Sequence, residues 1–569
     1  MSDSPQLPPT PAEDGRTGPT PPERADGTHA PSPEHVRPHP YGTSRSRRPP
    51  GHAGPAIGAP AAGPTSFMTV MQLSMLTVVV VASLRSLPAM ASYGLGSVAL
   101  FVIPALLFLV PTALVAAELA TGWKGGVFTW VREAFGERAG FVAIWLQWIQ
   151  NVVWYPTQIA FIAASLSFVV GNPGLASNGV YTAVVILVLY WGSTLIALAG
   201  GKLFASVGSW SGIFGTLVPA VLLIVLGAVW LGTGERSQTP LGLSDVVPPW
   251  TGIASIVLVV SNVLAYAGME VNAVHANDLK NPGKGFPRSI LIATVLILGV
   301  FILPTIAIAV AVPSSQLGVT NGINLAFQAF FDHWGIGWAT PVVSLLIALG
   351  AFASVVTWIA GPSRGLLAAA RTGLLPPFLQ KRNRAGVQVG ILGAQGAVVT
   401  LLALLFVLVP NGNTAFIALV DMAAALYLIM YMMMFAAALR LRRTQPTVVR
   451  SYRTPAMRFV AWLGMISCAA AFVLAFVRPS GFTGLSELGY PLVVVAVVVL
   501  LGGPPLLFYR LRRPAWDQRT AAERSSADSV LVNPPAVNST AAPDDTAAPD
   551  DDAAPDGTST PDGTAAPEA

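Results

Sequence analysis

Between residues 67 and 510 the chain alternates long apolar runs with short polar ones. A bilayer crossing takes roughly 20 apolar residues. Twelve runs meet that length, at about 67–93, 95–120, 140–170, 179–200, 204–231, 250–276, 288–312, 337–361, 388–409, 414–440, 457–477 and 490–509. They predict an all-α membrane protein with twelve transmembrane helices. Two of the runs are interrupted. In the first, Ser83-Leu84-Arg85-Ser86-Leu87-Pro88 sets a charge between serines, and Pro88 has no N–H to donate to the Leu84 carbonyl. In the sixth, Ala267-Gly268 precedes Glu270. A carboxylate costs roughly 2.5–3.5 kcal/mol at a helix centre, so Glu270 is expected to face protein or water. Backbone released from a helix at this depth is tolerated only where it lines a cavity or is buried in protein. Interruptions in spans 1 and 6 are what a five-plus-five inverted repeat with discontinuous helices predicts, leaving spans 11 and 12 outside it.

The polar intervals sharpen this picture. With the N-terminus inside, nearly every Lys and Arg falls on one side, from Lys124, Arg132 and Arg138 to Arg510, Arg512 and Arg513; the other side holds Arg236 and Arg478. That asymmetry predicts cytoplasmic termini. Residues 1–66 form a Pro-rich stretch and residues 511–569 an acidic Ala/Pro/Asp-rich one. Neither can bury enough apolar surface to offset chain entropy, so both are expected to be disordered cytoplasmic tails flanking a twelve-helix membrane domain at 67–510.

Composition removes several classes. Of 569 residues, 53% are hydrophobic and 10% charged, against about 25% charged in soluble domains. The net charge of +5 is spread over loops, so no nucleic-acid partner is expected. The single cysteine, Cys468, allows no intrachain disulfide, and four of the six histidines lie in the N-terminal stretch. No clustered nucleophile and base and no ligand set for a metal is visible, so neither an enzyme nor a cofactor is expected.

Several stretches carry a resemblance. Residues 264–287, LAYAGMEVNAVHANDLKNPGKGFP, are similar to the sixth helix and following loop of amino-acid permeases of the amino acid–polyamine–organocation superfamily. Residues 116–136 resemble its loop between helices 2 and 3, and residues 357–387 its passage from helix 8 toward helix 9. The Trp358-Ile-Ala-Gly-Pro-Ser-Arg-Gly run looks closest to bacterial glutamate/γ-aminobutyrate antiporters. The resemblance implies a leucine-transporter-type fold in a bacterial plasma membrane, moving amino acids by alternating access. It implies that a substrate carboxylate meets backbone amides around Ser83, Leu84, Arg85 and Ser86. The ammonium would meet carbonyls around Tyr266, Ala267, Gly268 and Met269. It also puts Trp358 against the substrate or its gate, and Glu270 at a gating, proton-sensitive position. The chain departs from the antiporter pattern at Arg85 (an aromatic there), at Ser354 (an acid) and at Ser209 (a lysine).

Arg85 is the sharpest candidate. A guanidinium at mid-membrane keeps its proton and needs carboxylate partners. It either takes the side-chain carboxylate of an acidic substrate or is locked to Glu270 or Asp421. Asp421 is read as a gate or proton relay, or as a solvated carboxylate. Gln150 and Asn151 either bind substrate or join helices. Glu118 is expected to fix a loop through an arginine or a helix cap. The function expected is secondary amino-acid transport, of glutamate/γ-aminobutyrate antiporter type. Proton-coupled uptake of neutral or other amino acids, and amino-acid sensing without transport, remain the competing readings. Partners are an amino acid and the lipid bilayer; a monomer and a homodimer both fit.

Overall fold

The computed structural model describes residues 68–199, 213–248, 252, 253, 257, 259–409, 412–479 and 486–519. The Pro-rich stretch 1–66, residues 520–569 of the acidic stretch, and Ser209 lie outside the described residues. The described chain is helical, with isolated bridges such as that between Met68 and Leu279 in place of strands. The helices are α1 Val70–Val81, α2 Leu87–Ala91, α3 Gly94–Gly122, α4 Gly126–Phe135, α5 Glu137–Val169 and α6 Gly179–Ala199. There follow α7 Gly215–Gly232, α8 Val259–Ala265, α9 Met269–Ala273, α10 Pro282–Ala311, α11 Gly322–His333 and α12 Ala339–Ala370. The last four are α13 Val389–Leu408, α14 Gly412–Thr444, α15 Met457–Leu474 and α16 Gly489–Leu511.

Ten helices among the described residues are long and apolar enough to cross a membrane. The first predicted run appears as a broken one: α1 and α2 meet at a 46° bend. The sixth appears as the short pair α8 and α9, since part of 250–258 lies outside the described residues. Helices α4 and α11 are short elements between the long ones.

The break after α1 comes from local chemistry. Thr69 and Gln72 form a reciprocal cap at the start, with Gln72 N–H donating to Thr69 Oγ1 at 3.1 Å and Thr69 N–H to Gln72 Oε1 at 2.8 Å. The helix ends where Ser83 turns extended, and its hydroxyl oxygen accepts from the Arg85 N–H at 3.4 Å. Pro88 leaves the Leu84 carbonyl without its helical donor, and the Leu87 N–H takes it in a tighter turn. Between α8 and α9 the break sits at Gly268, whose φ of +105° is one that a side chain disfavours.

Helix α5 is the most buried and packs chiefly on α12 and α14. Helix α16 is the least buried and lies at the edge, its exposed Leu and Val side chains suited to lipid. Helices α7 and α12 come into backbone contact where Gly215 meets Gly350; a Cβ on Gly215 would fall 2.0 Å from the Gly350 Cα.

At the end of the bundle rich in arginine, Glu118 on α3 is buried and gathers four donors or cations. Arg442 Nε and Nη2 each approach it at 3.0 Å, the Thr454 N–H donates at 2.7 Å, and Arg450 Nε lies 3.7 Å away. Burial lowers the Arg450 guanidinium below its ordinary pKa, with Glu118 acting in the opposite sense. The expected loop-fixing role of Glu118 is therefore met by two arginines. Residues 514–519, read from the sequence as the start of the acidic tail, form a turn and a bridge instead. Asp517 pairs with Thr372, the Gln518 N–H donates to the Arg371 carbonyl, and the Gln380 amide donates to the Trp516 carbonyl. Pro514 and Trp516 give this segment a rigid turn and an apolar ring.

Candidate functional site: a cavity between two broken helices

The breaks open onto one cavity of about 140 Å³. A single water needs roughly 10–15 Å³ on this measure, so the space suits a small organic molecule. Its walls come from the α1–α2 break (Ser83, Leu84, Arg85), from α5 (Gln150, Asn151, Trp154, Gln158) and from Ala267 at the second break. Ser354, Thr357 and Trp358 of α12, Thr216 of α7 and Tyr427 of α14 complete it. Polar groups from α1–α2, α5 and α12 thus converge on a space otherwise walled by Val, Leu and Phe.

Arg85 is 4% exposed, and its guanidinium lies over the Phe416 ring at 5.5 Å. Its Nε is buried with no hydrogen-bond partner. No carboxylate stands within ion-pairing distance of it among the described residues. The lock to Glu270 or Asp421 that the sequence left open is not formed, because both carboxylates are taken. Tyr427 and Tyr431 hydroxyls donate to Glu270, the second at 2.6 Å, and the Gln147 amide donates at 3.0 Å. Tyr490 on α16 donates to Asp421. Both carboxylates are buried, so Asp421 is not the solvated group that one reading had it.

The remaining candidates separate. Ser83, Leu84, Arg85, Gln150, Ala267 and Trp358 line the cavity; Ser86, Tyr266, Gly268, Met269, Glu270 and Asp421 do not. Tyr266 turns away: its hydroxyl donates to the Phe101 carbonyl at 2.9 Å and its ring stacks on Phe301. Ser86 and Met269 are buried behind the wall. Gly268 stands next to it, with its amide donating to the Tyr431 hydroxyl at 2.9 Å and the Trp358 ring packed over it. Tyr431 therefore joins the break of the sixth run to Glu270.

Sequence reading missed Tyr427, Tyr431 and Gln147. The tyrosines stand four apart in an apolar span, on one helix face, and that spacing is the signal that could have found them. Gln147 stands four before Asn151 and accepts its amide at the backbone carbonyl, 2.8 Å away. No group of three or more His, Cys, Asp or Glu able to hold a metal occurs among the described residues.

Gly268→Ala is expected to cost roughly 1–3 kcal/mol, because φ near +105° is a strained state for a residue with a Cβ. A thermal melt of the purified protein in detergent checks this. An unchanged midpoint would mean that the break tolerates a side chain.

A family model of amino acid permeases matches residues 67–501. The chain belongs to the amino acid permease family. Among its relatives, an uncharacterized transporter of Legionella pneumophila is 40% identical over 419 residues, 73% of this chain and 90% of the relative. A glutamate/γ-aminobutyrate antiporter of Lactococcus lactis is 31% identical over 446 residues, 77% of this chain and 89% of the relative. A protein of the same organism named a probable agmatine/putrescine antiporter is 26% identical over 392 residues, 67% and 80% of the two chains. The permease is a multi-pass membrane protein of a transporter family, with an amino acid and lipid as its surroundings.

Proposed function

We propose that this permease is an antiporter that takes acidic glutamate on one leg of its exchange, of glutamate/γ-aminobutyrate type, working by alternating access through twelve spans. Both termini would be cytoplasmic, as the lysine and arginine distribution supports. The relatives include proteins named for acidic and for polyamine cargo, so family membership alone leaves the charge of the cargo open. The observation that carries the choice is Arg85: a buried guanidinium at the cavity wall with no carboxylate partner among the described residues. A polyamine would place like charge beside it, whereas a side-chain carboxylate supplies the bidentate partner it lacks. The backbone at the break of α1 and the carbonyls near Ala267 would then take the α-carboxylate and ammonium, as in helix-break sites generally.

Counterflow tests this directly. Proteoliposomes loaded with glutamate or γ-aminobutyrate are expected to take up labelled glutamate well above unloaded ones. Equal uptake into loaded and empty vesicles would rule out exchange. Uptake driven by putrescine or leucine and not by glutamate would rule out the acidic cargo.

Glu270 would couple protons to this cycle. Its carboxylate accepts three donors, and a protonated or amide form can no longer accept all of them. Tyr431 passes that change to the Gly268 amide at the break. Glu270→Gln is expected to flatten the pH dependence of exchange in a protein that still folds. A pH profile superimposable on wild type would remove Glu270 from the proton pathway.

A further inference from the structure

We infer that Tyr155 is a positioning residue for the cavity: its hydroxyl holds the Trp358 carbonyl that Pro362 leaves without a helical donor. The inference rests on the reading of the cavity as the substrate site.

In a helix each carbonyl accepts from the N–H four residues on. For Trp358 that residue is Pro362, inside α12, which has no N–H and whose ring crowds the same carbonyl. The Trp358 carbonyl, partly buried at the cavity wall, would be left an orphan. The Tyr155 hydroxyl of α5 donates to it at 2.9 Å. Tyr155 is fully buried and packs against Tyr190 on its far side, with ring centroids 5.6 Å apart, so the hydroxyl is held in place.

This bond has a lever. The Trp358 indole lines the cavity and packs over Gly268, at 3.4 Å from where a Cβ would stand. Trp154, next to Tyr155 on α5, lines the same cavity with its ring 6.4 Å from the Trp358 ring. One hydroxyl thus fixes the α12 backbone at the residue that spans from the scaffold helix α5 to the break of the sixth run. Loss of the hydroxyl frees that backbone to shift, and the indole with it.

The sequence offers a matched rescue. Pro362→Ala returns an N–H to position 362, so the Trp358 carbonyl gains a helical partner and the Tyr155 hydroxyl becomes redundant. Tyr155→Phe, Pro362→Ala and the double variant would be purified and compared with wild type in glutamate counterflow. Tyr155→Phe is expected to raise the apparent KM about five- to tenfold with little change in maximal rate, in line with one lost hydrogen bond. The double variant is expected to return to within about twofold of Pro362→Ala. A KM unchanged in Tyr155→Phe, or a double variant as impaired as Tyr155→Phe, would overturn the inference. A readout independent of transport separates it from the assigned function. Fluorine NMR of fluorotryptophan-labelled protein, with the Trp358 resonance assigned by Trp358→Phe, should show that signal moved or broadened in Tyr155→Phe and restored in the double variant. Absence of glutamate exchange in wild type would sink the proposed function; an unmoved Trp358 signal would sink the role of Tyr155.

Discussion

Arg85→Ala is expected to weaken the apparent affinity for glutamate by roughly 30- to 150-fold, the equivalent of about 2–3 kcal/mol for hydrogen bonds to a charged group. The guanidinium is buried, lines the cavity and has no carboxylate partner among the described residues, so under the proposed function a substrate carboxylate is its acceptor. The loss should be selective. Glutamine and leucine lack the second carboxylate, so their weaker inhibition of glutamate exchange should change by no more than a few-fold. Arg85→Lys should recover part of the loss, since an ammonium supplies charge without the planar fork. Competition curves for the three amino acids against labelled glutamate check this. An equal loss for all three would mean that Arg85 acts on the gate and not on the cargo.

The second large effect lies far from the cavity. Glu118→Ala removes the acceptor of the Arg442 pair and of the Thr454 amide, and leaves Arg450 with its side chain 3% exposed and no carboxylate beside it. Removing one partner of a buried ion pair typically costs about 3–5 kcal/mol, because the remaining charge stays buried. Burial already lowers the Arg450 pKa, and Glu118 is the one influence raising it. The variant is therefore expected to lose much of its thermal stability and its yield of monodisperse protein. Glu118→Gln should keep some of the hydrogen bonds and fall between. A melting midpoint within a degree or two of wild type for Glu118→Ala would show that the loop between α14 and α15 is held by other contacts.

The elements that sequence made legible are those in which one residue dictates local structure. Apolar length placed most of the long helices within a few residues. It ended the run at 337–361 nine residues before Ala370 and began the run at 288–312 six residues after Pro282, because polar residues extend both helices beyond their apolar cores. Pro88 and Gly268 marked both interruptions, although the first break falls at Ser83, one turn earlier than the proline, where the Leu87 N–H rescues the carbonyl that Pro88 abandons. The glycine told more directly, since φ of +105° is its own property. Arg85 and Glu270 stood out because charge in an apolar run is costly. Their relationship did not. A sequence shows that a carboxylate at mid-membrane needs donors, but not that Tyr427 and Tyr431, more than 150 residues away, supply them and so set Arg85 free. The side chain of Tyr266 was illegible for a related reason: it sits at the break, yet its hydroxyl finds the Phe101 carbonyl and carries the ring out of the cavity. Tyr155 could not be found at all without the fold, because the orphan carbonyl that Pro362 creates belongs to a different helix.

The measurement that bears most directly on the central claim is equilibrium binding of glutamate and glutamine to the purified wild-type permease under identical conditions. The two ligands are nearly isosteric and differ in the one group that Arg85 is held to read. Glutamate binding at least about 30-fold tighter than glutamine is the predicted result, matching the value of one charge-assisted, two-point contact. Equal affinities would contradict it, and would mean that the buried guanidinium of Arg85 serves the protein and not the cargo.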